Sequence, residues 1–531
     1  MITLVDIVIV LIVGFYYLRK IGTRGPGLPP GPPTLPLVGN IHQFPKERLW
    51  LRFTEWSREY GGIVSLKIAS QTAIIVTSPR IVRDLMDKRG KSLSNRPQMK
   101  LADSITDGLN IGFSQGHIWK LQRRAVQSLL SHEACNKHIP IQKAEAIQFA
   151  YDLLKDPKNF FEHTQRQFAS VMLSTIFGTR CPRYENSLAS EFFSIERDFD
   201  ELLAPGAHPP IDVIPILQYV PERWAPWKTI CRDLRRRQQT FYHRLMNACE
   251  QRMKNGRNNG CFLEDIINNR ESMGLSREMV AYMGGVSLEG GSNTIATFIH
   301  RFILCMMCHP DTQRRGQDEV DKVVGPERMP QMEDIANMPY VQAIIKEVHR
   351  FYPTAPLAIP HSNATDESVD GYFIPKDSIV FMNIYGIYHN EELYDEPHTF
   401  RPERFLDSEF GTKADADITG LRSDIHFGSG RRICPGMHLA NNAVVMNVLN
   451  LLWSFDMTKA KEDIRDPFCP ITLEDFVPGL TIGPKPFECN IQPRSDKRAA
   501  LIRAAFSEAR SIFSMFEQEL TDDEKVFVER W

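Results

Sequence analysis

The sequence predicts a mainly helical α+β fold with a smaller sheet region, carried behind an N-terminal membrane helix. Helical periodicity dominates residues 142–350, whereas strand-like alternation falls early, in Ile63–Ile68 and Ala73–Thr77, and late, in Ser378–Asn383. Strands separated by a helical middle predict a sheet that joins distant segments. No low-complexity break or repeat follows Gly39. A body of about 450 residues exceeds the ~250–300 that one core usually supports, which favours a large helical body beside the sheet.

From Ile2 to Leu18 the chain is almost wholly apolar, and Arg19, Lys20 and Arg24 follow at once. At ~1.5 Å per residue this run reaches roughly 26 Å, slightly short of a ~30 Å hydrocarbon core. Phe15, Tyr16 and Tyr17 fall where an interfacial aromatic belt would lie, and the cations after them predict a cytoplasmic C-terminal side. The run lacks the leading charge and small-residue cleavage site of a signal peptide. Residues 1–20 are therefore expected to be a single-pass anchor, with a monotopic tail as the alternative because Asp6 weakens the span.

Residues 21–40 carry Pro26, Pro29, Pro30, Pro32, Pro33 and Pro36, and fixed φ angles predict an extended, semi-rigid hinge. The body is expected over 41–493. In the extension 494–531, Leu501, Ile502, Ala505, Phe506, Ala509, Ile512, Phe513 and Phe516 keep helical spacing, so an amphipathic helix docked on the body is expected.

The net charge of −2 offers no basic stripe for nucleic acid. Ten scattered cysteines in so long a chain fit a reducing compartment better than a disulfide framework. A functional cysteine must be picked out by its neighbours. Cys305-Met-Met-Cys308-His309 matches the covalent haem-attachment spacing, but it ends an apolar helix where core packing explains it. Asn363-Ala-Thr365 is a sequon that a cytoplasmic body leaves unmodified, and His438 with Cys434 is half a zinc set.

Cys434 differs from the other cysteines. Phe427-Gly-Ser-Gly-Arg-Arg-Ile-Cys-Pro-Gly436 is a small-residue loop opening an apolar helix from Met437. A thiolate at a helix N-terminus is stabilised by the dipole and free N–H groups. The glycines admit a flat partner close to the backbone, and Arg432 offers a cation to a carboxylate. A long helix is also expected from an N-cap at Ser276 to about Cys308. Its interior glycines, Gly284, Gly285, Gly290 and Gly291, cost about 1 kcal/mol each against Ala, a cost that close approach of a cofactor would explain.

Phe427, Gly430, Arg432, Cys434 and Gly436 resemble, position by position, the haem-binding loop of the cytochrome P-450 superfamily. Glu347 and Arg350 resemble its Glu-x-x-Arg pair, and Arg404 the third member of that charge network. Trp119 and Arg123 resemble its Trp-x-x-x-Arg propionate partners, His361 falls where another partner is often found, and Gly290, Gly291 and Thr294 resemble its oxygen-binding motif. The resemblance runs from the hinge to roughly Pro493, most closely to microsomal members of fungal secondary metabolism.

The resemblance implies haem b with Cys434 as axial thiolate, and O2 and NADPH electrons from a separate membrane-bound reductase. It also implies a body on the cytoplasmic side of the endoplasmic reticulum membrane. The activity implied is insertion of one oxygen atom into a small apolar molecule. Segments Gln98–His117, Leu202–Val213, Thr354–Ala358 and Phe476–Leu480, with residues beside Thr294, are expected to hold the substrate.

One departure stands out. The family usually places an acid before the threonine, and this chain has Asn293, which cannot relay protons by ionising. Proton delivery is therefore expected to be either rerouted through Glu289, one turn earlier on the same face, and water, or slowed with loss of peroxide, and Asn293→Asp is then expected to improve coupling. Asn293 also leaves open a haem-thiolate isomerase, dehydratase or desaturase. A haem-based binding or electron-transfer protein is a further alternative.

Overall fold

The computed structural model describes Asp6 and residues 20–203, 208–212, 214–460, 473–477 and 479–531. The expected anchor lies almost wholly outside these residues. Among the described residues, no helix is long and apolar enough to cross a membrane.

The longer helices are α1 (Leu49–Tyr60), α2 (Gly116–Leu129), α3 (Ile139–Lys155), α4 (Phe160–Met172), α5 (Leu188–Leu203), α6 (Pro226–Lys254), α7 (Arg277–Cys308), α8 (Pro310–Val324), α9 (Pro339–Phe351), α10 (Met437–Ser454) and α11 (Asp496–Phe513). Helix α7 starts where the sequence places it: the Ser276 hydroxyl accepts from the Met279 N–H at 3.1 Å. It is buried nearly all round, packing against α4, α6 and α10.

The main sheet joins distant segments, as expected. Strands β1 (Ile63–Ile68) and β2 (Gln71–Val76) form a hairpin, and the sheet is completed by β3 (His361–Ser362) and β4 (Ile379–Met382) in the order β1-β2-β4-β3. β2 and β4 pair in parallel, with Ala73 opposite Ile379. Both faces are covered, so β2 reads as a β-branched run, with Ile74, Ile75 and Val76 fully buried.

The hinge is extended but not free. Proline leaves carbonyls without a neighbouring N–H to compete for them, and Arg24 and Asn40 donate to those of Gly31, Pro32 and Pro33. The Ser65 N–H donates to the Pro30 carbonyl at 2.9 Å, so the segment is pinned along β1.

In the extension, Ile502, Phe506, Ala509 and Phe513 of α11 are buried, and Phe506 stacks on Tyr151 of α3 at 4.2 Å. Glu517 and Glu519 then pair with Arg180 and Arg252 of the body.

The Glu347 carboxylate takes two hydrogen bonds from Arg350, at 2.7 and 2.8 Å, and one from Arg404 at 3.3 Å. All three residues are buried, and Arg350 also donates to the Tyr388 and Pro397 carbonyls. Glu347→Gln leaves two buried guanidinium groups uncompensated and is expected to cost about 3–5 kcal/mol. Glu55→Gln breaks the exposed Arg52–Glu55 contact, worth about 0–1 kcal/mol. Urea midpoints of the two variants check this contrast; equal shifts contradict it.

Candidate active site

The loop before α10 is shaped by two glycines and one aspartate. Gly428 (φ 91°) and Gly430 (φ 63°) adopt left-handed backbone, and a Cβ on Gly430 would lie 2.2 Å from the Met86 carbonyl. Asp87 accepts from the Ser429 hydroxyl and the Gly430 N–H, both at 2.8 Å. The Cys434 N–H closes the loop on the Phe427 carbonyl at 2.9 Å. The helix end alone does not make Cys434 a thiolate. Burial pushes its thiol up, and the Gly436 N–H and Arg123 only partly oppose this.

Beside the loop lies a buried cluster of cations. Arg432 donates to the carbonyls of Ser94 (2.8 Å), Ile111 (3.1 Å) and Ser114 (2.7 Å), with its guanidinium 4.0 Å over the Trp119 ring. Arg96, equally buried, donates to the Gly112, Ile359 and Pro360 carbonyls. Burial, Arg96 and Arg123 push Arg432 down to about 8, and burial and Arg123 push Arg96 down to about 9. Among the described residues, none of these three arginines pairs with a carboxylate. A guanidinium does not relieve this strain by losing its proton; it takes an anion.

His361 joins the cluster, held through Nδ1 to the Leu93 carbonyl at 2.6 Å. Burial, Arg96 and Arg432 depress the ring to about 3, so it is neutral with Nδ1 as the donor.

The four glycines of α7 have different reasons. A Cβ on Gly284 would meet Phe177 at 2.7 Å, on Gly285 Tyr242 at 2.5 Å, and on Gly291 Met172 at 2.4 Å. Those three admit neighbouring side chains, not a cofactor as the sequence suggested. Of the four, only at Gly290 does a Cβ meet nothing within 4 Å, and Gly290 is exposed midway along the helix, between half-buried Glu289 and Gly291. The Thr294 hydroxyl donates to the Gly290 carbonyl at 2.7 Å. Glu289 accepts from the Tyr242 hydroxyl, and from Gln238 at 3.3 Å; burial chiefly pushes it up to about 7.

Two of the expected substrate segments touch, the Lys100 N–H donating to Asp212 at 2.7 Å; just beyond a third, the Ile482 N–H donates to the Thr354 carbonyl at 2.8 Å and Gly483 abuts Thr297 of α7. Residues 204–207, Val213 and Pro478 lie outside the described residues.

Cys305 is core and His309 stacks on Phe400. Among the described residues, Cys249, Cys261 and Glu264 alone have metal-ligand spacing, but the Arg252 guanidinium contacts all three, at 3.4, 3.3 and 3.4 Å.

Sequence reasoning missed Arg96, whose only signal is its place before Pro97. It also missed Glu196 and Asp200 of α5, which sit among Arg197, Asp198 and Glu201 with nothing local to single them out.

The cytochrome P-450 family profile matches residues 29–489. A cytochrome P-450 monooxygenase of Armillaria gallica is 44% identical over 95% of this chain and 96% of its own length. The monooxygenase yanC of Aspergillus niger is 35% identical over 91% and 93%. A zebrafish cytochrome P-450 structure with progesterone shares the fold, with a TM-score of 0.69 at 22% identity, covering 84% of this chain and all of that one. The chain belongs to the cytochrome P-450 family. It is an oxidoreductase, a haem-thiolate monooxygenase that binds haem b through a cysteine thiolate and uses O2, a small organic substrate and a redox partner. The site fits that cofactor: buried arginines lacking an anion suit its propionates, and α7 is left bare at one glycine.

Gly290→Ala fills open space and gains helix propensity, so about 1 kcal/mol of added stability is expected. Gly285→Ala drives a methyl into the Tyr242 ring, at a cost of about 1–3 kcal/mol. Denaturant unfolding of both variants checks the opposite signs; a loss at Gly290 matching that at Gly285 contradicts the bare face.

Proposed function

We propose that this chain oxidises a small, largely apolar metabolite of the kind made in fungal secondary metabolism, with Cys434 as the axial ligand of the haem. The observation that carries the reading is the cluster of buried Arg96 and Arg432 with half-buried Arg123 beside the Cys434 loop, none of them paired with a carboxylate among the described residues, where the cofactor's two propionates would supply the anions.

Phe427 and Gly436 bracket the thiol, while Arg432, Arg96, Arg123, Trp119 and His361 hold the anionic edge. Once bound, the haem supplies the iron at which O2 is activated, because thiolate donation favours O–O cleavage. Thr294, on the bare face of α7, orients water there through a hydroxyl now held by the Gly290 carbonyl. Glu347, Arg350 and Arg404 touch none of the reacting groups and keep the segments flanking the loop in register.

The redox partner of this reading is a membrane-bound NADPH-cytochrome reductase. The membrane is that of the endoplasmic reticulum, with residues 1–20 as a single-pass anchor, the body on its cytoplasmic side and 21–40 as the hinge. Supporting a second contact with the bilayer, Ile214, Ile216, Tyr219, Trp224 and Ile230 are exposed within one short segment.

Co-expression of the full-length chain with a microsomal reductase under isotopically heavy O2, with fungal terpenoid and phenolic metabolites supplied, tests the reading. One heavy oxygen atom in the product is expected. A changed product without the label contradicts oxygen insertion.

A further inference from the structure

We propose that Asp200 and Glu196 on α5 and Glu289 on α7 form the route by which protons reach Thr294, and that Asn293 is the residue positioning Glu196. This rests on the haem-thiolate reading above and names the proton supply of the same site.

Three helices bring these groups together. Glu196 and Asp200 stand one turn apart on α5, and Glu289 and Asn293 one turn apart on α7. Gln238 and Tyr242, one turn apart on α6, both donate to the Glu289 carboxylate. The Asn293 amide faces the Glu196 carboxyl as a donor, and Glu196 feels both Asp200 and Glu289. Glu289 precedes the bare Gly290, whose carbonyl holds the Thr294 hydroxyl. Asp200 is exposed at the other end.

Two buried oxygens of the cluster have no hydrogen-bond partner from the protein. Glu196 Oε2 is buried without a hydrogen-bond partner, and so is Oε1 of Gln238, a residue only 1% exposed whose amide reaches Glu289 at 3.3 Å. Buried acceptors demand donors. A water with two or more such partners is the occupant this chemistry recognises, and it bridges two carboxyls that have no direct hydrogen bond to each other.

Among the described residues, no cation acts on the two inner carboxyls: Asp200, Glu289 and Asn293 act on Glu196, and Tyr242 and Asp200 act on Glu289. Burial pushes Glu289 up to about 7 and Glu196 well above the carboxylate range, while Asp200 meets solvent. Carboxyls poised near neutrality both accept and give protons, as a relay requires. A proton enters at Asp200, passes to Glu196, crosses by water to Glu289 and leaves towards the Thr294 hydroxyl. Reprotonation from solvent then restores each acid.

This changes the meaning of Asn293. An aspartate there would remove the donor to Glu196 and set a fourth carboxyl beside these three. Asn293→Asp is therefore expected to impair proton delivery, the reverse of the expectation from the family pattern.

The test uses the full-length holoenzyme with a microsomal reductase, NADPH and O2, and no substrate. Oxygen then leaves as peroxide (O2 + NADPH + H+ → H2O2 + NADP+) or as water (O2 + 2 NADPH + 2 H+ → 2 H2O + 2 NADP+). Only the water branch cleaves the O–O bond and needs the extra protons.

Glu196→Gln, Glu289→Gln and Asn293→Asp are each expected to cut the water branch at least about tenfold, towards the ~100-fold low end of general acid catalysis, with peroxide taking its place. Infrared spectra of the wild type at pH 7 are expected to show an undissociated carboxyl band that Glu196→Gln removes. That readout is independent of turnover and remains should a variant fold poorly.

An unchanged peroxide fraction, or no such band, overturns the relay while a thiolate-type spectrum of the reduced carbon monoxide complex keeps the parent reading. Absence of that spectrum in the wild type overturns both.

Discussion

Packing around α7 presses Phe177, Tyr242 and Met172 against Gly284, Gly285 and Gly291 but leaves Gly290 uncovered, and the site depends on that asymmetry. A helix buried on every face is a scaffold. One left open around Gly290, midway along its length, presents a face to what binds beside it. The glycines that weaken α7 by propensity also let α4 and α6 approach closely enough to hold it rigid. Rigidity matters because Thr294 and Glu289 work only if their positions are fixed before substrate arrives.

The loop carrying Cys434 supplies the opposing constraint. Its shape is enforced by left-handed glycines, by Asp87 and by the Met86 carbonyl, which no side chain at 430 could tolerate. Beside it Arg96, Arg123 and Arg432 come together with no carboxylate paired to them among the described residues, so an anionic group bound there would offset the cost of burying their charge.

Much of this was legible in the sequence, for identifiable reasons. The Ser276 cap, the strands β1 and β2 and the docked C-terminal helix follow from local rules of capping, alternation and amphipathic spacing, although β2 runs Gln71–Val76 rather than Ala73–Thr77 because it pairs with β1 from the turn onward. Glu347, Arg350 and Arg404 converge because i, i+3 spacing fixed the first two and the motif's order fixed the third. What was not legible depends on tertiary approach. The α7 glycines read as space for a cofactor, but three serve neighbouring side chains. The prolines read as a spacer, yet their free carbonyls pin it to β1. Glu196 and Asp200 were not singled out, because nothing local shows that α5 turns them towards α7.

The most direct test of the central claim is the spectrum of the reduced carbon monoxide complex, recorded for the wild type and for Cys434→His. The wild type is expected to give the thiolate-type band, and Cys434→His to retain haem but give the imidazole-type band. A thiolate-type band surviving in Cys434→His would contradict the assignment of Cys434 and the reading of the site built on it.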